Sequence, residues 1–182
     1  MTDAAIGPFS DALRAGNLPV DLSFFEACIA GDEAAVQSAL DRGQDIDAFA
    51  PDGFTALALA VSFGHHSLAR RLIEAGADVN RRANTAQNVG PIHAALARGD
   101  MQTLELLLQM GADPNAVQEK NVRPLHEAAS SGNTVGAALL LMYGADPCAK
   151  ADDGQTPADL ALSKGYALAD RLHALSLRRV VL

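Results

Sequence analysis

The sequence predicts an all-α solenoid: stacked helix-turn-helix units joined by hairpin-like loops. Three observations carry this expectation. The phrase Gly-(Ala/Gln)-Asp recurs at Gly43-Gln44-Asp45, Gly76-Ala77-Asp78, Gly111-Ala112-Asp113 and Gly144-Ala145-Asp146, in steps of 33, 35 and 33 residues. A second glycine series, Gly31, Gly64, Gly99, Gly132 and Gly165, keeps the same beat. Between the glycines, apolar residues such as Leu57, Ala60 and Val61 recur at the i, i+3, i+4 spacing of a helix face. A period in this range marks supersecondary units that bury their apolar faces only by stacking.

Taken in order, residues 1–20 read as an extension that caps the first unit, with Ser10-Asp11-Ala12-Leu13-Arg14 as a short helix; the ends of a stack need polar covers. Five units follow over residues 21–175, at about 21–50, 51–83, 84–118, 119–151 and 152–175. The first is degenerate and runs from Leu22-Ser23-Phe24-Phe25 through Gly43-Gln44-Asp45-Ile46-Asp47. In the second, Thr55 is placed to cap a helix, and Gly64, a natural left-handed terminator, keeps that helix short. A second helix then presents Leu68, Leu72 and Ile73 on one face and Arg70, Arg71 and Glu74 on the other. Ala58, Ala60 and Ala69 are small enough for close helix approach.

The third and fourth units replace the capping threonine with Gly90 and Arg123. Losing a Ser/Thr cap costs about 1 kcal/mol, and a glycine in its place costs much less, so these units are expected to be locally weaker. The 35-residue step places two extra residues in the loop Arg81-Arg82-Ala83-Asn84-Thr85-Ala86-Gln87-Asn88-Val89, which is expected to project further than its neighbours. The tail, residues 176–182, ends apolar at Val180-Val181-Leu182; it either packs on the last unit or serves as a hook.

Composition narrows the function. Apolar residues at 49% and charged residues at 20% mark a folding chain, not a disordered one. No stretch approaches the roughly 18 apolar residues of a membrane span, and the N-terminus has no basic and apolar leader pattern. Cys28 and Cys148 lie in different units, which argues against a disulfide framework and for a cytoplasmic protein with free thiols. Cys28 sits at a stack-facing helix position, whereas Cys148 lies in a loop. Residues 1–80 hold 12 acidic and 4 basic side chains, while residues 81–182 hold 10 of each, so the whole net charge of −8 lies in the first part. That balance excludes nucleic acid, whose binding needs a concentrated basic stripe. It either solvates that end or steers it toward a basic partner.

Candidate chemistry is sparse. The chain has no G-x-S-x-G elbow, Walker-A loop, H-E-x-x-H or C-x-x-C. His93 and His126 fall one unit apart, but no third ligand shares their spacing. The adjacent pair His65-His66 does not face one point. Asp45, Asp47 and Asp52 share a loop, yet an EF-hand counted from Asp45 would place Ala50 where Gly is required and Ala56 where Glu is required. The sequence therefore supports no catalytic residues, metal or cofactor.

These phrases together resemble the ankyrin repeat. The family's Thr-Pro-Leu-His stands as Thr55-Ala56-Leu57-Ala58, Gly90-Pro91-Ile92-His93, Arg123-Pro124-Leu125-His126 and Thr156-Pro157-Ala158-Asp159. Its Gly-His stands intact at Gly64-His65, with Gly99-Asp100, Gly132-Asn133 and Gly165-Tyr166 in the same place. Leu107-Leu108-Gln109-Met110-Gly111-Ala112-Asp113-Pro114-Asn115 matches the unit's end. The resemblance implies a structural role for the histidines and a curved stack whose concave side is made by hairpin tips and first helices.

Carried over by position, it implies that a partner protein meets Asp52, Phe54, Ser62, Phe63, Val89, Arg98, Lys120, Val122, Ser131 and Lys164, with Arg81 and Arg82 contributing from the longer loop. Phe54 and Phe63 lead this set, because the chain is only 4% aromatic and both sit in one unit at normally exposed positions; the alternative is that the rings fold over neighbouring loops. The expected function is noncatalytic protein binding by a monomer, as an inhibitor or immunity-type protein, with a scaffold bridging two partners as the alternative.

Overall fold

The computed structural model describes residues 21–179, with side chains to residue 175. The expected cap helix at Ser10–Arg14 and the apolar end at Val180–Leu182 lie outside these residues. Within the described span, ten α-helices follow one another in pairs: α1 (Leu22–Ala30) with α2 (Glu33–Asp41), α3 (Ala56–Phe63) with α4 (His66–Glu74), α5 (Pro91–Arg98) with α6 (Met101–Gln109), α7 (Pro124–Ser130) with α8 (Thr134–Met142), and α9 (Pro157–Ser163) with α10 (Leu168–Arg179). A 3-10 turn, Glu119–Asn121, interrupts the series. The fold is all-helical, as the sequence predicts. No helix among the described residues is long and apolar enough to cross a membrane.

The first helices α1, α3, α5, α7 and α9 pack side by side, and each second helix packs on its own partner. This arrangement explains the sequence of α3. Its residues Ala56, Leu57, Ala58, Leu59, Ala60 and Val61 are buried in succession because α1, α4 and α5 cover it from three sides. The helix α4 is covered less completely, so only Leu68, Ala69, Leu72 and Ile73 are buried, while Arg70, Arg71 and Glu74 face solvent. The small residues do what their size suggests: Ala58, Ala60 and Ala69 are fully buried at the helix contacts.

Thr55 caps α3 by accepting from the Ala58 amide at 3.2 Å, and Gly64 closes the helix with φ +80°. Gly64 has a second reason to be glycine. A Cβ there would lie 2.6 Å from the Arg98 guanidinium, just as one at Gly31 would lie 2.5 Å from the His65 ring. In these two units, and at Gly132 under Tyr166, the turn between the helices of one pair is thus roofed by a side chain from the next pair.

Two sets of hydrogen bonds tie the loops. Hairpins close through Ala50 to Phe54, Ala83 to Val89, Gln118 to Val122 and Ala151 to Gln155, each an amide donating to a carbonyl at 2.8–3.0 Å. The two extra residues of the third unit therefore lie inside its hairpin, between Ala83 and Val89. Neighbouring hairpins are joined by the amides of Asn84, Glu119 and Asp152, which donate to the carbonyls of Gly53, Gln87 and Lys120. At the other end of each unit runs an asparagine ladder. Asn80 Nδ2 donates to the Gly111 carbonyl and its Oδ1 accepts from the Asp113 amide, and Asn115 repeats both bonds on Gly144 and Asp146.

Candidate functional site

The face built by first helices and hairpins carries a cavity of about 330 Å³, lined by Phe54, Ser62, Val89, His93, Ala94, Ala97, Arg98, Gln118 and Glu127. The repeat explains how residues so distant in sequence converge. Phe54, Val89 and Gln118 come from three consecutive hairpins, and the rest come from the ends and starts of α3, α5 and α7. Four residues expected from repeat position, Phe54, Ser62, Val89 and Arg98, meet here.

Their settings differ. Phe54 is half-buried and packs against the core, so it is a wall of the cavity and not a free ring. Phe63, next to Ser62 at the end of α3, is 41% exposed. Arg98 Nη1 donates to the Ser62 carbonyl at 2.9 Å, which lays its guanidinium over the end of α3. Val122 and Asp52 are half-buried in their hairpins, and the Asp52 carboxylate accepts from the Phe54 amide. Lys120 is exposed at a hairpin tip in a left-handed conformation, φ +60°. Ser131 turns its hydroxyl back onto the Glu127 carbonyl at 2.9 Å, and Lys164 is exposed just beyond α9.

Arg81 and Arg82 are engaged within the chain. The Arg81 guanidinium stacks 4.7 Å from the Phe49 ring centroid, and Arg82 Nη1 donates to the Val117 carbonyl at 2.7 Å. Arg82 also lines a second, more polar cavity of about 470 Å³ with Asn80, Asp113, Asn115, Ala116 and Val117. That cavity overlies the asparagine ladder.

The histidines are structural. The Gly90 amide donates to His93 Nδ1 at 3.2 Å, and Nε2 lies 3.2 Å from the Ala116 carbonyl. His126 makes the same pair of bonds, with the Arg123 amide and the Gln155 carbonyl. An imidazole that accepts at Nδ1 and donates at Nε2 is neutral, and burial agrees, pushing His93 down to about 4 and His126 below its usual value. His65 Nε2 lies 2.7 Å from the Ile29 carbonyl and His66 Nδ1 lies 2.8 Å from the Thr103 hydroxyl, so the adjacent pair serves two separate contacts. Cys28 is buried, which pushes its thiol up to about 12, and Cys148 is partly exposed. Among the described residues, no three His, Cys, Asp or Glu side chains gather as metal ligands would.

The residue that repeat position missed is Glu127. Its Oε2 is buried without a hydrogen-bond partner among the described residues, and burial pushes its carboxyl up to about 7. An unsatisfied buried polar group costs about 1–3 kcal/mol. A signal was present in the sequence: Glu127 occupies the column filled elsewhere by Leu59, Ala94 and Leu160.

Comparison with known proteins agrees with this architecture. Models of ankyrin repeats match residues 24–70 and 58–108, and a three-copy ankyrin model matches residues 92–174. The chain is 33% identical over 101 residues to the ankyrin repeat protein YahD of Escherichia coli (strain K12), covering 56% of this chain and 48% of that protein. It is 34% identical over 107 residues to the ankyrin repeat, SAM and basic leucine zipper domain-containing protein 1 of Pongo abelii, covering 55% and 22%. To the E3 ubiquitin-protein ligase KEG of Arabidopsis thaliana it is 29% identical over 109 residues, covering 59% and 7%. The matches thus span about half the length of the first relative and much less of the other two. With five helix pairs, their left-handed glycine turns and the family models agreeing across residues 24–174, the chain belongs to the ankyrin-repeat family, whose members typically serve as noncatalytic protein-interaction modules.

Proposed function

We propose that this chain is a noncatalytic binding module that holds a partner protein against its first helices and hairpins. The observation that carries this reading is the cavity between α3, α5 and α7, which gathers four of the residues singled out by repeat position. Proteins hold ligand groups in concave, mostly apolar sites with a few convergent polar groups. Phe63 supplies an exposed ring next to it in the chain, and aromatic anchors contribute about 2 kcal/mol or more at interfaces. The acidic excess of residues 1–80 favours a partner with a basic surface. The two free thiols fit a reducing, cytoplasmic setting, and we read the free protein as a monomer. Blocking an enzyme or toxin, as an inhibitor or immunity-type protein does, is the finer form of this reading. The unequal charge of the two halves supports a second form, an adaptor that holds two partners at once.

The test compares the wild type with Ala97→Arg in affinity capture from source-cell lysate. Ala97 is exposed on α5 and lines the cavity, so the substitution places a charge at its mouth at little cost to the fold. One protein held 1:1 by the wild type and lost by the variant is the expected result. Equal capture by both would contradict the choice of face, and two proteins held on separate surfaces would favour the adaptor.

A further inference from the structure

The cavity on the first-helix face is mostly apolar, with the Arg98 guanidinium on one side and the Glu127 carboxyl on another. Phe54, Val89, Ala94 and Ala97 form its walls, and Glu127 lines it from α7 with Oε2 buried and unpaired among the described residues. We propose that this cavity receives a basic side chain of the partner protein, arginine or lysine, with its methylenes along the apolar walls and its cationic end on the Glu127 carboxylate. This rests on the binding face proposed above and names the group that enters it.

Size and chemistry point the same way. A volume of about 330 Å³ admits a side chain and not a helix. Long basic side chains lay an aliphatic stem on apolar surface while the head seeks a polar partner. A cation on a shielded carboxylate makes the stronger, charge-assisted kind of hydrogen bond.

The charged neighbours within the chain have other contacts, and burial alone shifts the Glu127 carboxyl. Arg123, at the start of α7, reaches Asp146 at 4.0 Å through Nη1, while its Nε is buried without a hydrogen-bond partner among the described residues. Arg98 on α5 donates to the Ser62 carbonyl, and both ring nitrogens of His93 on α5 and of His126 on α7 are used. Asp159, the titratable group of α9, is bound by Thr156, and α8 carries no titratable side chain.

The test uses the full chain and three probes, N-acetyl-arginine amide, N-acetyl-lysine amide and the uncharged isostere N-acetyl-norleucine amide, titrated by amide NMR at pH 6 and pH 8. The arginine or lysine probe is expected to shift the amides of Ala94, Ala97, Gln118 and Glu127, and the norleucine probe to leave them unmoved. Because only the carboxylate binds a cation, a carboxyl titrating at about 7 predicts binding about tenfold tighter at pH 8 than at pH 6. Glu127→Gln should weaken binding and abolish that pH dependence. Equal binding of norleucine, no shifts with either basic probe, or an unchanged pH profile in Glu127→Gln would each overturn the proposal. The face itself is judged separately. Partner capture lost in Ala97→Arg but intact in Glu127→Gln would leave the binding face standing and sink the basic side chain.

Discussion

The first helices start in two different ways. At α3 and α9 the cap is local: the hydroxyls of Thr55 and Thr156 accept from the amides of Ala58 and Asp159, three residues on. At α5 and α7 the cap residues are Gly90 and Arg123, which contribute no side-chain bond. The imidazoles of His93 and His126 reach back to the cap amides instead, and on their far side touch Ala116, past α6 at the end of the same unit, and Gln155 in the following unit. A threonine cap needs only its own helix, whereas a histidine cap also needs the chain beyond its helix pair in place. The weakness expected at units three and four is thus offset by a tie to the chain beyond the helix pair, and the two helices so tied frame the cavity on the binding face.

The largest effect should come from removing that tie. His93→Ala should cost about 2–4 kcal/mol, because it opens a hole and strands the Gly90 amide. Thr55→Ala, its counterpart at α3, should cost about 1 kcal/mol. Urea unfolding of both variants checks the contrast, and equal losses would erase the distinction between local and long-range caps. The tie also has a pH signature. A histidine held down at about 4 contributes stability that is full above its ordinary 6.5 and is lost as pH falls through 4. His93→Ala should therefore flatten the acid limb of a stability-versus-pH curve.

Glu127, on the other histidine-capped helix, works in the opposite direction. A carboxyl raised from 4.5 to about 7 contributes stability that is full below 4.5 and is lost as pH rises through 7. Glu127→Gln should accordingly gain about 2 kcal/mol at pH 8, since every tenfold weakening of the acid is worth about 1.4 kcal/mol and the group keeps some contact with solvent. It should gain little at pH 4. Thermal melts at the two pH values decide it; a pH-independent difference would mean that the carboxyl is not shielded in solution. Smaller again is Arg123→Thr, which restores a hydroxyl cap to α7 and should stabilise by about 1 kcal/mol. Gly90→Ser at α5 should add only a few tenths of a kcal/mol, since the glycine's φ of −98° already suits other residues.

The repeat made much of this legible. Glycines at a fixed period placed the helix ends, Thr55 announced a cap, and repeat register selected Phe54, Ser62, Val89 and Arg98, which the fold brings together. What stayed hidden depended on contacts between units. Arg81 and Arg82 read as free cations, yet one stacks on Phe49 and the other bonds to Val117, partners 32 and 35 residues away. The threonine-to-glycine and threonine-to-arginine changes read as losses because the compensating histidines bond to carbonyls 23 and 29 residues on. Glu127 escaped notice because a charged residue on a helix ordinarily reads as solvated; only its apolar column, Leu59, Ala94 and Leu160, marks it as out of place.

The central claim is that the partner sits on the first-helix face and not on the second helices. Site-specific photocrosslinking tests it most directly, with a benzophenone amino acid placed at Ala97 on α5 or at Val135 on α8, which is 57% exposed. The account predicts a single crosslinked partner from position 97 and none from position 135. A partner trapped from position 135 alone would contradict it.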